Sequence, residues 1–238
     1  MSESHRNTDE VRAYYDQFST YQSWSGINDR HASIRRWLRK FGMKSGDSVL
    51  EVGCGVGQIT LLMAEMVGRG HITAVDISPE NIRLASDRLK SRTNIEWMVT
   101  DMMEISFQNS YDWVVFPDVL EHIPVESHRM VFQTVAAALK PGGKVFIHIP
   151  HPKYQDHIRA HEPEKLQIID QSLSAADLVK SAESAGLSLE YFESYALYRE
   201  PADYQAILLT KHGDVPVPVL KPYWKRVIQR LRLRGLRR

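Results

Sequence analysis

Residues 49–60 read VLEVGCGVGQIT. An apolar run leads into three glycines at alternate positions, Gly53, Gly55 and Gly57, and a carboxylate, Glu51, stands two places before the first. Glycine has no Cβ, so backbone here can take positive φ and approach a ligand closely. A glycine loop after a strand is a weak signal alone, because several nucleotide sites use one. The spacing narrows it. A G-x-G-x-x-G fingerprint would place its third glycine at position 58, which is Gln58, whereas the third glycine is Gly57. A pyrophosphate also favours the bare N-terminus of a helix. Glu51 beside the loop suits a cationic ligand better.

Outward from this loop, apolar runs and helical patterns alternate. DSVLEVG is a strand and GQITLLMAEMV a helix. HITAVDI is a strand, followed by the helix SPENIRLASDRLK with Ser78 as N-cap and Pro79 in its first turn. IEWMVTD and YDWVVFPD are strands. ESHRMVFQTVAAALK is a helix stopped by Pro141-Gly142-Gly143, and KVFIHIP is a fifth strand. A helix over SAADLVKSAESAGL and strands over LEYFESYALY and YQAILLTK complete the pattern. Such alternation predicts an α/β fold: a doubly wound, mostly parallel seven-stranded sheet, Rossmann-like, with an antiparallel edge strand. Two helices, over residues 8–24 and 28–42, precede it. The chain divides into an N-terminal helical cap (1–44), a core (45–212) with a substrate insertion at about 151–172, and a basic tail (213–238).

Ligands of such sheets bind beyond the carboxyl ends of the strands. The second strand ends in Asp76, which can accept from both hydroxyls of a ribose. The third ends in Asp101, beside Met102 and Met103, an acid for an exocyclic amine and thioethers to pack on a base. Three acids at three successive strand ends describe a nucleoside with a cationic appendage and no phosphate.

In order and spacing, VLEVGCGVGQIT, ITAVDISPE, VTDMME, YDWVVFPDVLEHIP and LKPGGKVFIHIP resemble the successive motifs of class I S-adenosylmethionine-dependent methyltransferases over residues 47–150. The resemblance implies S-adenosyl-L-methionine as cofactor. It implies Glu51, Gly53, Gly55 and Gly57 around the methionine part, Asp76 at the ribose, Asp101 and Met102 at the adenine, and Asp118 near the methionine end, with Gln58 and Ile77 as further cofactor-binding residues. The first predicted helix resembles one that closes over the cofactor in small-molecule methyltransferases. Tyr14, Tyr15 and Tyr21 on it are candidate contacts, with Tyr14 as the catalytic candidate.

Methyl transfer from a sulfonium is an in-line displacement that gains from positioning and desolvation, and a protic acceptor also needs a base. The candidates lie in DVLEHIP and IHIPHPKYQDHIRAHEPEK. His151, just past the fifth strand, is the first choice and His122 the second. His148 reads as a packed core histidine. His157 and His161 lie one turn apart on a helix of the insertion. Asp118, Glu121 and His122 form D-x-x-E-H, which departs from the E-x-x-E-H metal site of some 2′-O-methyltransferases, so no metal site is assigned. The expected activity is methyl transfer to a hydroxyl of a small molecule or carbohydrate. The alternatives are a metal-assisted RNA 2′-O-methyltransferase and a non-catalytic S-adenosylmethionine-binding module.

The 238 residues are 43% hydrophobic and 25% charged, the balance of a soluble globular chain. No apolar run approaches the ~18 residues that span a bilayer, and the polar start lacks a secretion signal's apolar core. The single cysteine, Cys54, excludes an internal disulfide. A cytoplasmic location is expected. The net charge of +1 hides an asymmetry: eight basic residues and no acid from Lys221 onward leave the first 220 residues at −7. In that tail Trp224, Val227, Ile228 and Leu231 share one helical face. A membrane surface is a candidate partner for it, and nucleic acid is disfavoured.

Overall fold

The computed structural model describes residues 10–16, 26–102, 111–212 and 222. The tail face at 224–231, Tyr21 and Met103 lie outside them. Within the described residues, seven strands form one sheet: β1 (Ser48–Val52), β2 (His71–Asp76), β3 (Ile95–Val99), β4 (Tyr111–Pro117), β5 (Leu139–Pro150), β6 (Leu187–Tyr195) and β7 (Tyr204–Lys211). Their order is β3-β2-β1-β4-β5-β7-β6. The first five run parallel. β7 enters between β5 and β6 and runs antiparallel to both. The antiparallel edge expected from the sequence is thus a pair, β7 with β6 outside it, closing one side of the sheet.

Side chains alternate across the sheet with the two-residue period of a strand. Leu50, Val114, Val145, Ile147, Ile207 and Leu209 face the layer that holds α5 (His128–Ala138) and α7 (Ala175–Glu183). Val49, Val115, Phe146 and Leu208 face the layer of α2 (Asp29–Lys40), α3 (Gln58–Val67) and α4 (Pro79–Arg88). Burial of both faces explains why these strands read as continuous apolar runs. Phe132 of α5 is wholly buried. Phe132→Ala is expected to cost about 3–5 kcal/mol in urea denaturation, through lost burial and the cavity left behind.

Local chemistry sets the helix starts. Ser78 caps α4, its side chain accepting from the Asn81 N–H with Pro79 following. Asn28 and His31 form a reciprocal cap on α2. α5 stops at Ala138, and the fifth strand already begins at Leu139. Tyr111 pairs with Leu139 and Trp113 with Lys144, so Pro141-Gly142-Gly143 is accommodated as an irregularity inside the strand. The insertion opens with α6 (Pro152–His161). Residues 10–16 are helical (α1). Arg12 Nε donates to the Ile77 carbonyl at 3.2 Å, and Ser78 Oγ donates to Asp16, so α1 lies across the end of β2.

Candidate active site at the strand ends

β1 lies between β2 and β4, so the chain leaves in opposite directions on its two sides. Such a switch point opens a crevice at the carboxyl ends. A cavity of about 450 Å³ lies there, lined from α1, α2, the glycine loop, the ends of β2 to β5, the insertion and the start of β7.

The inner part is built by the glycine loop. Gly53 and Cys54 donate backbone N–H bonds to the Val75 carbonyl, at 2.8 and 3.0 Å. Gly53 has φ +70°, and a Cβ on it would stand 2.4 Å from Val119 Cγ2. Gly55 donates to Asp76 Oδ2 at 2.8 Å. The other Asp76 oxygen accepts from the Ser78 N–H at 2.9 Å and from Asn81 Nδ2 at 3.1 Å. One carboxylate therefore ties the loop to the first turn of α4, while still lining the cavity. Burial raises its pKa against these three donors.

Glu51 is fully buried. Its Oε2 accepts from the Thr60 hydroxyl at 2.6 Å, and its Oε1 has no partner. Burial, with Asp76 adding, pushes its pKa up to about 8 although Thr60 opposes. Between the ordinary value of 4.5 and about 8 the folded chain holds this proton and the unfolded chain does not. Stability of the chain without ligand should therefore fall as pH rises through that window. Glu51→Gln keeps the neutral shape and is expected to flatten that slope, measured by urea denaturation at about pH 5 and about pH 8.

The implied cofactor residues Glu51, Gly53, Gly55, Gln58, Asp76, Ile77, Asp101, Met102 and Asp118 all line the cavity. Gly57 does not. It caps α3 at φ +86°, and a Cβ there would press Ala85 and Leu89 of the neighbouring helix. Its task is a close approach of α3 to α4.

At the β4 end, Asp118 takes a left-handed φ of +59°. Its carboxylate accepts from Arg30 and bonds His148 Nδ1 at 2.8 Å. His148 Nε2 meets the Tyr195 hydroxyl at 2.8 Å, which meets Ser33 Oγ at 2.8 Å. Burial would raise the Asp118 pKa, but His148 and Arg30 together hold it at about 2. His148 is fully buried, as a core histidine should be, and it is also the centre of this polar chain. Asp118 is thus committed to two partners within the protein. Among the described residues no group of three or more His, Cys, Asp or Glu side chains is placed to hold a metal ion.

The outer part differs from the expectation. His151 does not line the cavity. Its ring accepts from the Lys153 N–H and caps α6. Pro152 starts a helix at once, and this turns the imidazole to the helix end. Tyr14 is likewise not in the lining, whereas Tyr15 is. His157 and His161 stack on each other on the exposed face of α6. The insertion reaches the cavity instead through Gln167, Ile169 and Asp170. Asp170 is fixed by Gln155 Nε2 and the Gln167 N–H.

His122 does line the cavity. Its Nδ1 bonds the Ile169 carbonyl, which can only accept, so Nδ1 carries the proton and Nε2 a lone pair. Nε2 lies 3.9 Å from Glu121 Oε1, and the ring meets Tyr15 edge-on at 6.2 Å between centroids. Burial lowers its pKa, although Asp170 and the carbonyl oppose, which favours the neutral ring. Arg30, His31, Asn81 and Tyr204 are lining residues absent from the sequence reading, whereas Tyr15 is one of its candidate contacts and Glu121 belongs to its D-x-x-E-H.

Residues 49–143 match the family model described as a methyltransferase domain. That match covers less than half of the chain, and the sheet around it has the Rossmann-like fold of class I S-adenosylmethionine-dependent methyltransferases. It is similar to phosphoethanolamine N-methyltransferase 2 of Caenorhabditis elegans, 32% identical over 114 residues, covering 46% of this chain and 25% of the relative. It is also similar to demethylmenaquinone methyltransferase of Staphylococcus aureus, 28% identical over 144 residues, covering 59% and 57%. The matches thus span a quarter to just over half of these curated relatives' lengths. In fold it is similar to magnesium protoporphyrin IX methyltransferase of Synechocystis PCC 6803 with bound SAH, with a TM-score of 0.67 at 18% identity, covering 86% of this chain and 99% of that one.

Proposed function

We propose that this chain binds S-adenosylmethionine in the inner part of the cavity and methylates a small-molecule acceptor held in the outer part. The observation that carries this is the set of carboxylates Glu51, Asp76 and Asp101, spaced over the ends of three adjacent strands and opening into one cavity. The residues fit the cofactor by a direct criterion. Glu51 Oε1 is buried without a partner, and a buried unpaired carboxylate oxygen is costly unless a cation or donor meets it. An ammonium group at Glu51, a ribose at Asp76 and an adenine beside Asp101 and Met102 would satisfy the lining. When bound, the cofactor supplies an electrophilic methyl group on a sulfonium.

The relatives are named for acceptors as different as phosphoethanolamine, demethylmenaquinone and magnesium protoporphyrin IX. The acceptor must therefore be argued from this chain's own residues. We assign a hydroxyl of a small molecule or carbohydrate, with His122 in place of His151 as base. His122 Nε2 would take the hydroxyl proton, leaving the oxygen's electron pair directed at the inner part of the cavity. Tyr15 on α1 and Tyr204 on β7 would wall the acceptor from water. The test is S-adenosylhomocysteine release with extracts fractionated into sugars, lipids and RNA, together with calorimetry of S-adenosylmethionine. Release confined to one small-molecule fraction supports the reading, release with RNA supports the RNA alternative, and absent cofactor binding sinks both.

A further inference from the structure

Among the described residues, four buried polar atoms in the cavity lining have no hydrogen-bond partner: Glu51 Oε1, Asn81 Oδ1, Glu121 Oε2 and the Tyr15 hydroxyl. Glu51 and Asn81, which is bonded to Asp76, belong to the inner part given to the cofactor, and the cofactor reading leaves Glu121 and Tyr15 unaccounted for. Glu121 is 2% exposed and stands in the short turn after β4, beside His122. A buried carboxylate oxygen with no donor is destabilising by itself, and such sites persist where a ligand meets them.

The charges around Glu121 say what kind of ligand. Asp118, Glu121 and Asp170 line this part of the cavity, and among the described residues Arg30 is the only lysine or arginine in the lining. Arg30 Nη1 is bound to Asp118 and its Nη2 lies 3.2 Å from His31 Nε2. Arg30 acts on Glu121 from a distance, but its hydrogen bonds go to Asp118 and His31 and none reaches the free oxygen of Glu121. An anionic acceptor would meet like charge in a low-dielectric pocket, and a neutral one would leave the acid unpaired. Burial, and next the nearby Asp118 charge, raises the Glu121 pKa well above its ordinary value although Arg30 opposes, a cost that a cation beside it would relieve.

We propose that the acceptor carries a protonated amine, held by the free oxygen of Glu121 with the Tyr15 hydroxyl at its flank, next to the group offered to His122. The carboxylate's other oxygen, Oε1, lies 3.9 Å from His122 Nε2, so acid and imidazole stand close enough to share an acceptor with amine and hydroxyl on neighbouring carbons, an amino alcohol or an amino sugar. This rests on the methyltransferase reading of the cavity and names the acceptor class for it.

The test uses the full chain saturated with S-adenosylhomocysteine. Calorimetry of that nucleoside comes first, and its failure would count against the cofactor reading alone. Saturation-transfer NMR then compares glucosamine with glucose and ethanolamine with ethylene glycol. In at least one pair the ammonium member is expected to bind about ten-fold or more tighter, the scale of a charge-assisted hydrogen bond. That preference should vanish in Glu121→Gln, with S-adenosylhomocysteine affinity unchanged. Equal binding within both pairs, no binding by either ammonium member, or a preference that survives in Glu121→Gln overturns the proposal. Should that variant fail to fold, Tyr15→Phe replaces it. It is expected to weaken the ammonium members and spare the neutral ones, and no change there also overturns the proposal.

Discussion

His122→Ala is expected to lower kcat by about 10²–10⁴, the usual contribution of a positioned general base. The reason is geometric. The Ile169 carbonyl fixes the Nδ1 proton, so the basic Nε2 is the nitrogen left to the cavity. Burial keeps the ring's pKa below its ordinary 6.5, so the base stays neutral at neutral pH. The wild-type rate should accordingly fall only as pH drops below that lowered value, and the acid limb should disappear in the variant. Cofactor affinity should hold, because the ring is grouped with Tyr15 and Glu121 and not with the glycine loop. His151→Ala is the matched control. It loses a helix cap and should keep kcat near wild type. Full turnover by His122→Ala would leave positioning alone as the source of catalysis.

Asp76→Ala is the second large effect. Besides any ribose contact, it removes the acceptor shared by the Gly55 N–H, the Ser78 N–H and the Asn81 side chain. Charge-assisted bonds of this kind contribute about 1.5–3 kcal/mol each, so S-adenosylmethionine affinity should fall ten-fold or more in calorimetry. The structure adds a readout that needs no ligand. Amide hydrogen exchange at Gly55 and Ser78 should accelerate in the variant, since both lose their acceptor. Unchanged affinity would break the assignment of the second strand end, whatever the exchange data show.

The two halves of the cavity were not equally legible in the sequence. The inner half is written locally: each carboxylate sits at the tip of its own apolar run, so strand alternation alone brings Glu51, Asp76 and Asp101 to one edge. The outer half depends on long-range docking. Arg30 reaches Asp118 across 88 residues and His122 meets Ile169 across 47, separations that no motif spacing encodes. His151 looked apt because it follows the fifth strand, yet Pro152 converts that position into a helix cap. Which of Tyr14 and Tyr15 faces inward is set by how α1 seats on Ile77 and Ser78, a rotation of one residue that composition cannot report. Gly57 shows the converse. A motif glycine can be required by a neighbouring helix and not by the ligand.

The insertion of β7 between β5 and β6 bears on synthesis as well as on shape. A nascent chain emerging from the ribosome can pair β1 to β5 as each crossover completes, but the outer edge of β5 stays bare until Tyr204–Lys211 has been made. Its neighbour-to-be, β6, is translated earlier yet has nothing to pair with until the same moment. An open edge of apolar strand is a template for intermolecular pairing. Translational pausing or premature termination before residue 204 would therefore release a chain with five ordered strands and an adhesive flank. Quality-control binding during biogenesis should concentrate on the β5 edge.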